Sequence, residues 1–204
     1  MSAYPETAAR FARDTGQHQL TVKHEDGLYR HLRFSSTEPN GHTPFELITW
    51  PFNLVVKAGW TFHFDIDATE DMFVLFRRTA LTGRINPGYW SEKVRAGRDE
   101  VEGFSEDSFE RQVKQYVVEA IREGDAPRGI GREVTRDIFD WGDISHEAGA
   151  RDELASFRYE GWTFGDTSEW DFSEYTPGFL HCCFAIRRGI DLWDAARKTA
   201  EVAA

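Results

Sequence analysis

Along the first third of the chain, apolar and polar residues alternate with a period of two. Gln19-Leu20-Thr21-Val22-Lys23 alternates, Glu25-Asp26-Gly27 interrupts, and residues 28–34 alternate again, with Leu28, Arg30, Leu32 and Phe34 on one side and Tyr29, His31 and Arg33 on the other. Successive side chains of a strand point to opposite faces, so the pattern predicts two strands joined by a tight turn. Pro39-Asn40-Gly41 predicts a loop, and residues 45–50 a strand stopped by Pro51, which has no N–H to donate to a ladder. Strands over 54–57 and 60–67 follow, separated by Ala58-Gly59. In the second, Trp60, Phe62, Phe64 and Ile66 share one face while Thr61, His63, Asp65 and Asp67 share the other.

The period then lengthens to that of a helix. A short helix over 3–14 already precedes the strands, with Ala8, Phe11 and Ala12 on one side. After the strands, Thr69 is the expected N-cap of a helix over 69–79, with Glu70 and Asp71 favourably placed in its first turn and Met72, Phe73 and Phe76 as its buried stripe. Ser105 repeats the device with Glu106 and Asp107. Behind it, Phe109, Val113, Tyr116, Val117, Ala120 and Ile121 mark one face of a helix over 105–123 that ends at Gly124. Shorter helices are predicted over 132–139 and 147–157. Thr176-Pro177, a cap followed by proline at the first helical position, opens a last helix over 177–199 whose stripe is Phe179, Cys183, Ile186, Ile190 and Trp193, widened by Leu180 and Phe184. The expected fold is α+β in one domain spanning 1–204: an antiparallel meander of four to five strands over 19–67, covered by helices drawn from 69–204.

Composition adds two constraints. With 40% hydrophobic and 14% aromatic residues in 204, the chain can bury a core built largely from aromatic rings. Its 35 Asp and Glu against 24 Lys and Arg leave a net charge of −11, a field that repels phosphate backbones and favours a protein partner with a basic surface over direct nucleic-acid binding. The acidity also has a plainer use in keeping a protein monodisperse. The only cysteines, Cys182 and Cys183, are adjacent and ill placed for a disulfide, which implies reduced thiols in a cytoplasmic compartment. Residues 1–14 are charged and lack the apolar core of a signal peptide, and no apolar run is long enough to span a bilayer.

Three clusters are candidates for chemistry. His63, Asp65 and Asp67 lie on one strand face and offer an imidazole and two carboxylates for a metal or for acid–base work. Same-face neighbours on a strand stand about 7 Å apart, however, so a metal would need further ligands from elsewhere, and a solvated polar face explains the row equally. The segment 159–186 has no Lys or Arg but sets Asp166, Glu169, Asp171 and Glu174 among Trp162, Phe164, Trp170 and Phe172. That mixture suits a recognition edge for a basic protein, or else a covering segment that tucks its rings onto the sheet and leaves its carboxylates in water. Asn86-Pro87-Gly88-Tyr89-Trp90-Ser91-Glu92-Lys93 predicts a type II turn whose rings either staple it to the core or face a partner, making Asn86, Tyr89 and Trp90 candidates. His181-Cys182-Cys183 cannot chelate one ion, because successive helical residues splay by about 100°. No phosphate-cradling, dinucleotide, zinc-protease or nucleophile-elbow motif occurs, so no cofactor is expected.

The blocks Leu47-Ile48-Thr49-Trp50-Pro51, Asp71-Met72-Phe73 with Phe76-Arg77, and Ile85 to Lys93 resemble, in that order, an uncharacterised family of bacteriophage and prophage proteins, as does the aromatic helix around Phe184 to Trp193. The family continues the Trp-Pro block with a glycine and a short Gly-Asp turn, where this chain has Phe52-Asn53-Leu54 and Lys57-Ala58-Gly59. The resemblance implies a phage or prophage accessory gene expressed in a bacterial cytoplasm, and brings no reaction. The expected function is binding and modulation of a host protein, as in inhibition of a defence system. The alternatives are a small metal-dependent enzyme acting on a nucleotide or a nucleic-acid-derived substrate, and a virion assembly factor.

Overall fold

The strands β1 (His18–Asp26), β2 (Tyr29–Ser36), β3 (Phe45–Trp50), β4 (Asn53–Ala58), β5 (Trp60–Asp65) and β6 (Val94–Ala96) form one antiparallel sheet in chain order. The α+β class and the meander are as expected, with β6 added at the edge. This computed structural model describes residues 4–38, 43–81 and 85–203, so the loop predicted at Pro39-Asn40-Gly41 lies outside the described residues. The helices are α1 (Pro5–Thr15), α2 (Met72–Thr79), α3 (Pro87–Ser91), α4 (Glu106–Glu123), α5 (Ile130–Val134), α6 (Glu147–Ser156) and α7 (Pro177–Ala203), and a second, two-stranded sheet pairs β7 (Glu102–Phe104) with β8 (Ser173–Tyr175).

The chain divides into two compact units, Met1–Val101 with Tyr175–Ala204, and Glu102–Glu174. In the first, the period-two pattern does what it promised. Leu32, Phe34, Phe45, Leu47, Leu54, Val56, Phe62 and Phe64 are buried on one sheet face, against α1, α2 and α7. The rings interlock: Phe34 stacks on Phe45 with centroids 4.5 Å apart, Phe62 meets Phe179 edge-on at 5.3 Å, and Phe64, Phe76 and Trp90 form an edge-to-face chain at 5.2 and 4.9 Å. Each such ring contributes about 2–3 kcal/mol by leaving water. Trp60, expected on the same face, remains 44% exposed because it lies at the first position of β5 and turns toward the start of α7.

The second unit has its own core. Phe109, Val113 and Val117 of α4 are buried there with Ile130, Val134, Ile138, Leu154, Phe157, Phe164 and Phe172. So α4 buries its stripe among 130–172 instead of on the meander, and Ile121, predicted within that stripe, is 51% exposed. The last buried residue of the stripe is Ala120, and Gly124 takes a left-handed conformation that closes the helix one turn later. The helix predicted over 132–139 is α5 followed by a π-helical turn, Thr135–Asp140, whose wider winding carries Ile138 inward.

Two caps differ from expectation. The N-cap of α2 is Asp71, whose carboxylate accepts from the Phe73 N–H, and not Thr69. Pro87-Gly88 forms no type II turn: Asn86 caps α3 by accepting from the Tyr89 N–H, and Pro87 occupies the first helical position, where its missing N–H costs nothing.

Candidate functional site

The row His63, Asp65, Asp67 does not converge. His63 stacks on Trp50 with centroids 5.5 Å apart and has Nε2 2.6 Å from Asn53 Oδ1. Asp65 pairs with Arg95 at 3.3 Å, and Asp67 lies exposed beyond the end of β5. Among the described residues no group of three or more His, Cys, Asp or Glu side chains is arranged to hold a metal ion. Cys182 and Cys183 are fully buried in α7, and burial pushes the Cys182 thiol up to about 12 and the Cys183 thiol well above its ordinary value. Both are thiols rather than thiolates at neutral pH and serve as small apolar side chains.

Asn86, Tyr89 and Trp90 are absorbed by the core. Asn86 Nδ2 donates to the Thr79 carbonyl at 2.9 Å, and Trp90, with no exposed surface, donates from Nε1 to Thr79 Oγ1 at 2.9 Å. Tyr89 is half-buried, with the Lys93 ammonium 4.6 Å from its ring centroid. Asn86 and Trp90 tie α3 to the end of α2.

The acidic aromatic segment separates into two populations. Its rings face inward: Phe164 and Phe172 are buried, and Trp162 and Trp170 pack around Tyr116, with centroids 6.0 and 5.1 Å from that ring. The Arg151 guanidinium lies 4.9 Å from the Phe172 ring and donates to the Trp170 and Thr167 carbonyls. Asp166, Glu169, Asp171 and Glu174 face water. Asp166 accepts from the Ser168 N–H and Asp171 from the Ser173 N–H and hydroxyl, bonds that hold both carboxyls below the usual carboxylate range. Glu174 is held low by hydrogen bonds from Ser105 and Arg111. The segment therefore offers charge without aromatic anchors, and its rings pack in the core of the second unit instead of on the meander.

The wider surface of that unit carries the stronger signal. Residues 102–174 contain 19 Asp and Glu against 8 Lys and Arg, a net charge of −11, whereas the first unit's 16 acidic and 16 basic residues cancel. The whole net charge of the protein thus belongs to 73 residues. Fifteen of those carboxylates are exposed and the other four half-buried. Four of the eight cations are already engaged within the unit: Arg111 with Glu174, Lys114 with Glu110, Arg136 with Glu133 and Asp137, and Arg151 with Glu147. Trp141 stands 75% exposed between Asp140 and Asp143, with the Arg136 guanidinium 5.4 Å from its ring centroid. Sequence reasoning passed over this residue, although a lone tryptophan flanked by carboxylates was a readable signal.

The first unit has an open face of its own. Cross-strand pairing aligns His24, His31, Ile48, Val55 and His63 in one row across β1 to β5, and none of these side chains is buried. Beside the row, Glu46 accepts from His31 at 2.8 Å and from Arg33 at 2.5 Å. The His31 bond holds its carboxyl below the usual range, with help from Arg33, against the opposing effect of burial. Tyr29, Ile48 and Trp50 line a shallow concavity of about 520 Å³.

Comparison with protein-family models, with curated proteins and with solved structures finds no match. Among the described residues no helix is long and apolar enough to cross a membrane.

Proposed function

We propose that this protein is a phage- or prophage-encoded accessory protein of the bacterial cytoplasm, and that its second unit binds the basic surface of a host protein. The observation that carries the reading is the segregation of charge: 73 residues hold a net −11 while the rest of the chain is neutral. An acidity needed only for solubility has no reason to gather in one unit. Exposed carboxylates at that density present a polyanion, and the matching surface is one that ordinarily holds a nucleic-acid backbone. Trp141 supplies the large ring that such an interface uses as an anchor.

The test is affinity capture from bacterial lysate, followed by titration of the captured protein. Duplex DNA is expected to compete with it. Replacing Glu123, Asp125, Asp152, Glu160 and Glu169 with the corresponding amides should weaken binding roughly tenfold or more, and Trp141→Ala should weaken it about 30-fold. Unchanged affinity in both variants, with an unchanged melting temperature, overturns the assignment.

A further inference from the structure

In the first unit, α1, the β4–β5 turn and the start of α7 enclose a cleft of about 560 Å³, separate from the open sheet face and unused by the proposed function. Its volume falls in the range of small-molecule sites. One wall is the Trp60 indole. A Cβ on Gly178 would come within 2.7 Å of that ring, so only glycine allows the indole to lie against the first turn of α7, and 44% of Trp60 stays exposed. Next to it stands His181, one turn into α7, 4.9 Å edge-on from Phe11 and 6.0 Å from Trp60. No described residue hydrogen-bonds to either ring nitrogen of this half-buried imidazole, while burial lowers its pKa and keeps it neutral. Glu6, Thr7, Arg10 and Asp14 of α1 complete the lining.

The lining discriminates among ligand classes. A phosphate would meet the carboxylates of Glu6 and Asp14 beside a single guanidinium. A free cation would find Asp14 already shared between Arg10 at 3.8 Å and Arg13 at 3.3 Å. A wholly apolar ligand would strand the charged and hydroxyl groups without hydrogen bonds. What remains is a neutral ring with one apolar face for the indole and edge hydroxyls that both donate and accept, matching a carboxylate, a guanidinium, a neutral imidazole and threonine hydroxyls. We infer that the cleft lined by Trp60 and His181 binds a saccharide ring.

The test uses the full chain and ligand-observed saturation-transfer NMR with glucose, galactose, mannose, N-acetylglucosamine and ribose, alongside N-acetyl-lysine amide as a cationic probe. At least one sugar is expected to bind saturably with the millimolar Kd normal for about a dozen non-hydrogen atoms. Trp60→Leu, which keeps apolar bulk and removes the ring face, should abolish the signal. His181→Ala should weaken it roughly tenfold. Melting curves of both variants establish that they fold, and Glu6→Gln, a change at an exposed position, gives a third reading of the same lining. No saturable response to any sugar up to about 50 mM, binding of the lysine probe alone, or unchanged binding in folded Trp60→Leu each overturns the inference.

Discussion

At the tip of the β3–β4 hairpin, Phe52 holds a φ of +68°. The register Trp50 with Asn53 leaves Pro51 and Phe52 as a two-residue turn, whose second position needs the left-handed region that glycine enters freely and a bulky side chain does not. The neighbouring structure enforces the strain, since the Phe52 N–H donates to the Glu70 carbonyl at 2.8 Å and its own carbonyl accepts from the Ile66 N–H at 3.1 Å. Glycine is the residue this geometry prefers. Phe52→Gly is therefore expected to raise stability by about 1 kcal/mol in urea denaturation, and a loss of stability would show that the ring, 37% exposed, contributes more packing than the turn costs. Gly97 makes the opposite case: at φ +85° a Cβ would lie 2.9 Å from both the Thr61 carbonyl oxygen and the Phe62 ring, so substitution there combines strain with a clash.

Among the elements, α2 and α3 depend on their caps. Asp71 accepts from the Phe73 N–H at 2.9 Å and takes two hydrogen bonds from Arg30 at 2.9 and 3.1 Å, while the Arg30 guanidinium lies over the Phe73 ring at 4.9 Å. Burial pushes the Asp71 carboxyl up, but the bonds and charge of Arg30, the Phe73 N–H and the charge of Arg77 outweigh it and hold the pKa below its ordinary value. A depressed folded-state pKa gives stability that is complete above the unfolded-state value and disappears as pH falls through the folded one. The stability difference between the native chain and Asp71→Asn should accordingly be largest near neutral pH and shrink below about pH 4, as read from urea midpoints at each pH. For α3, Asn86→Ala removes both the cap and the bond to Thr79 and should cost about 1–2 kcal/mol. Trp90→Ala should cost about 3–5 kcal/mol by opening a cavity against Phe76. An Asn86→Ala chain of native stability would mean that α3 is held by Trp90 alone.

For the molecule as a whole, charge segregation makes salt the informative variable. The second unit's carboxylates repel one another, and added salt shortens the reach of that repulsion from about 10 Å at 0.1 M to about 3 Å at 1 M. Moderate NaCl is expected to raise the thermal stability of the second unit while weakening the proposed binding to a basic partner, two effects of opposite sign from one cause. Circular dichroism melts and binding titrations across the same salt series check both. Stability that falls with salt would show that the unit's ion pairs, such as Arg111 with Glu174, outweigh its net repulsion.

Much of the fold was legible in the chain because its signals are local. Alternation assigned Leu32, Phe34, Phe62 and Phe64 to the apolar faces of their strands, and Ser105, Gly124 and Thr176-Pro177 marked helix ends through their own local chemistry. Tertiary structure alone decided what depends on neighbours distant in sequence. It chose Asp71 over Thr69 as a cap by placing Arg30 beside it, and buried Trp90 by bringing Thr79 within reach of its indole N–H. It drew the rings of 159–172 into the core of the second unit and left Trp141 in water. A net charge of −11 is a property of composition that any ordering of these residues would share, whereas its confinement to residues 102–174 became visible only when chain contacts showed where one unit ends and the other begins. Periodicity records which side of an element is apolar, and only packing determines what that side meets.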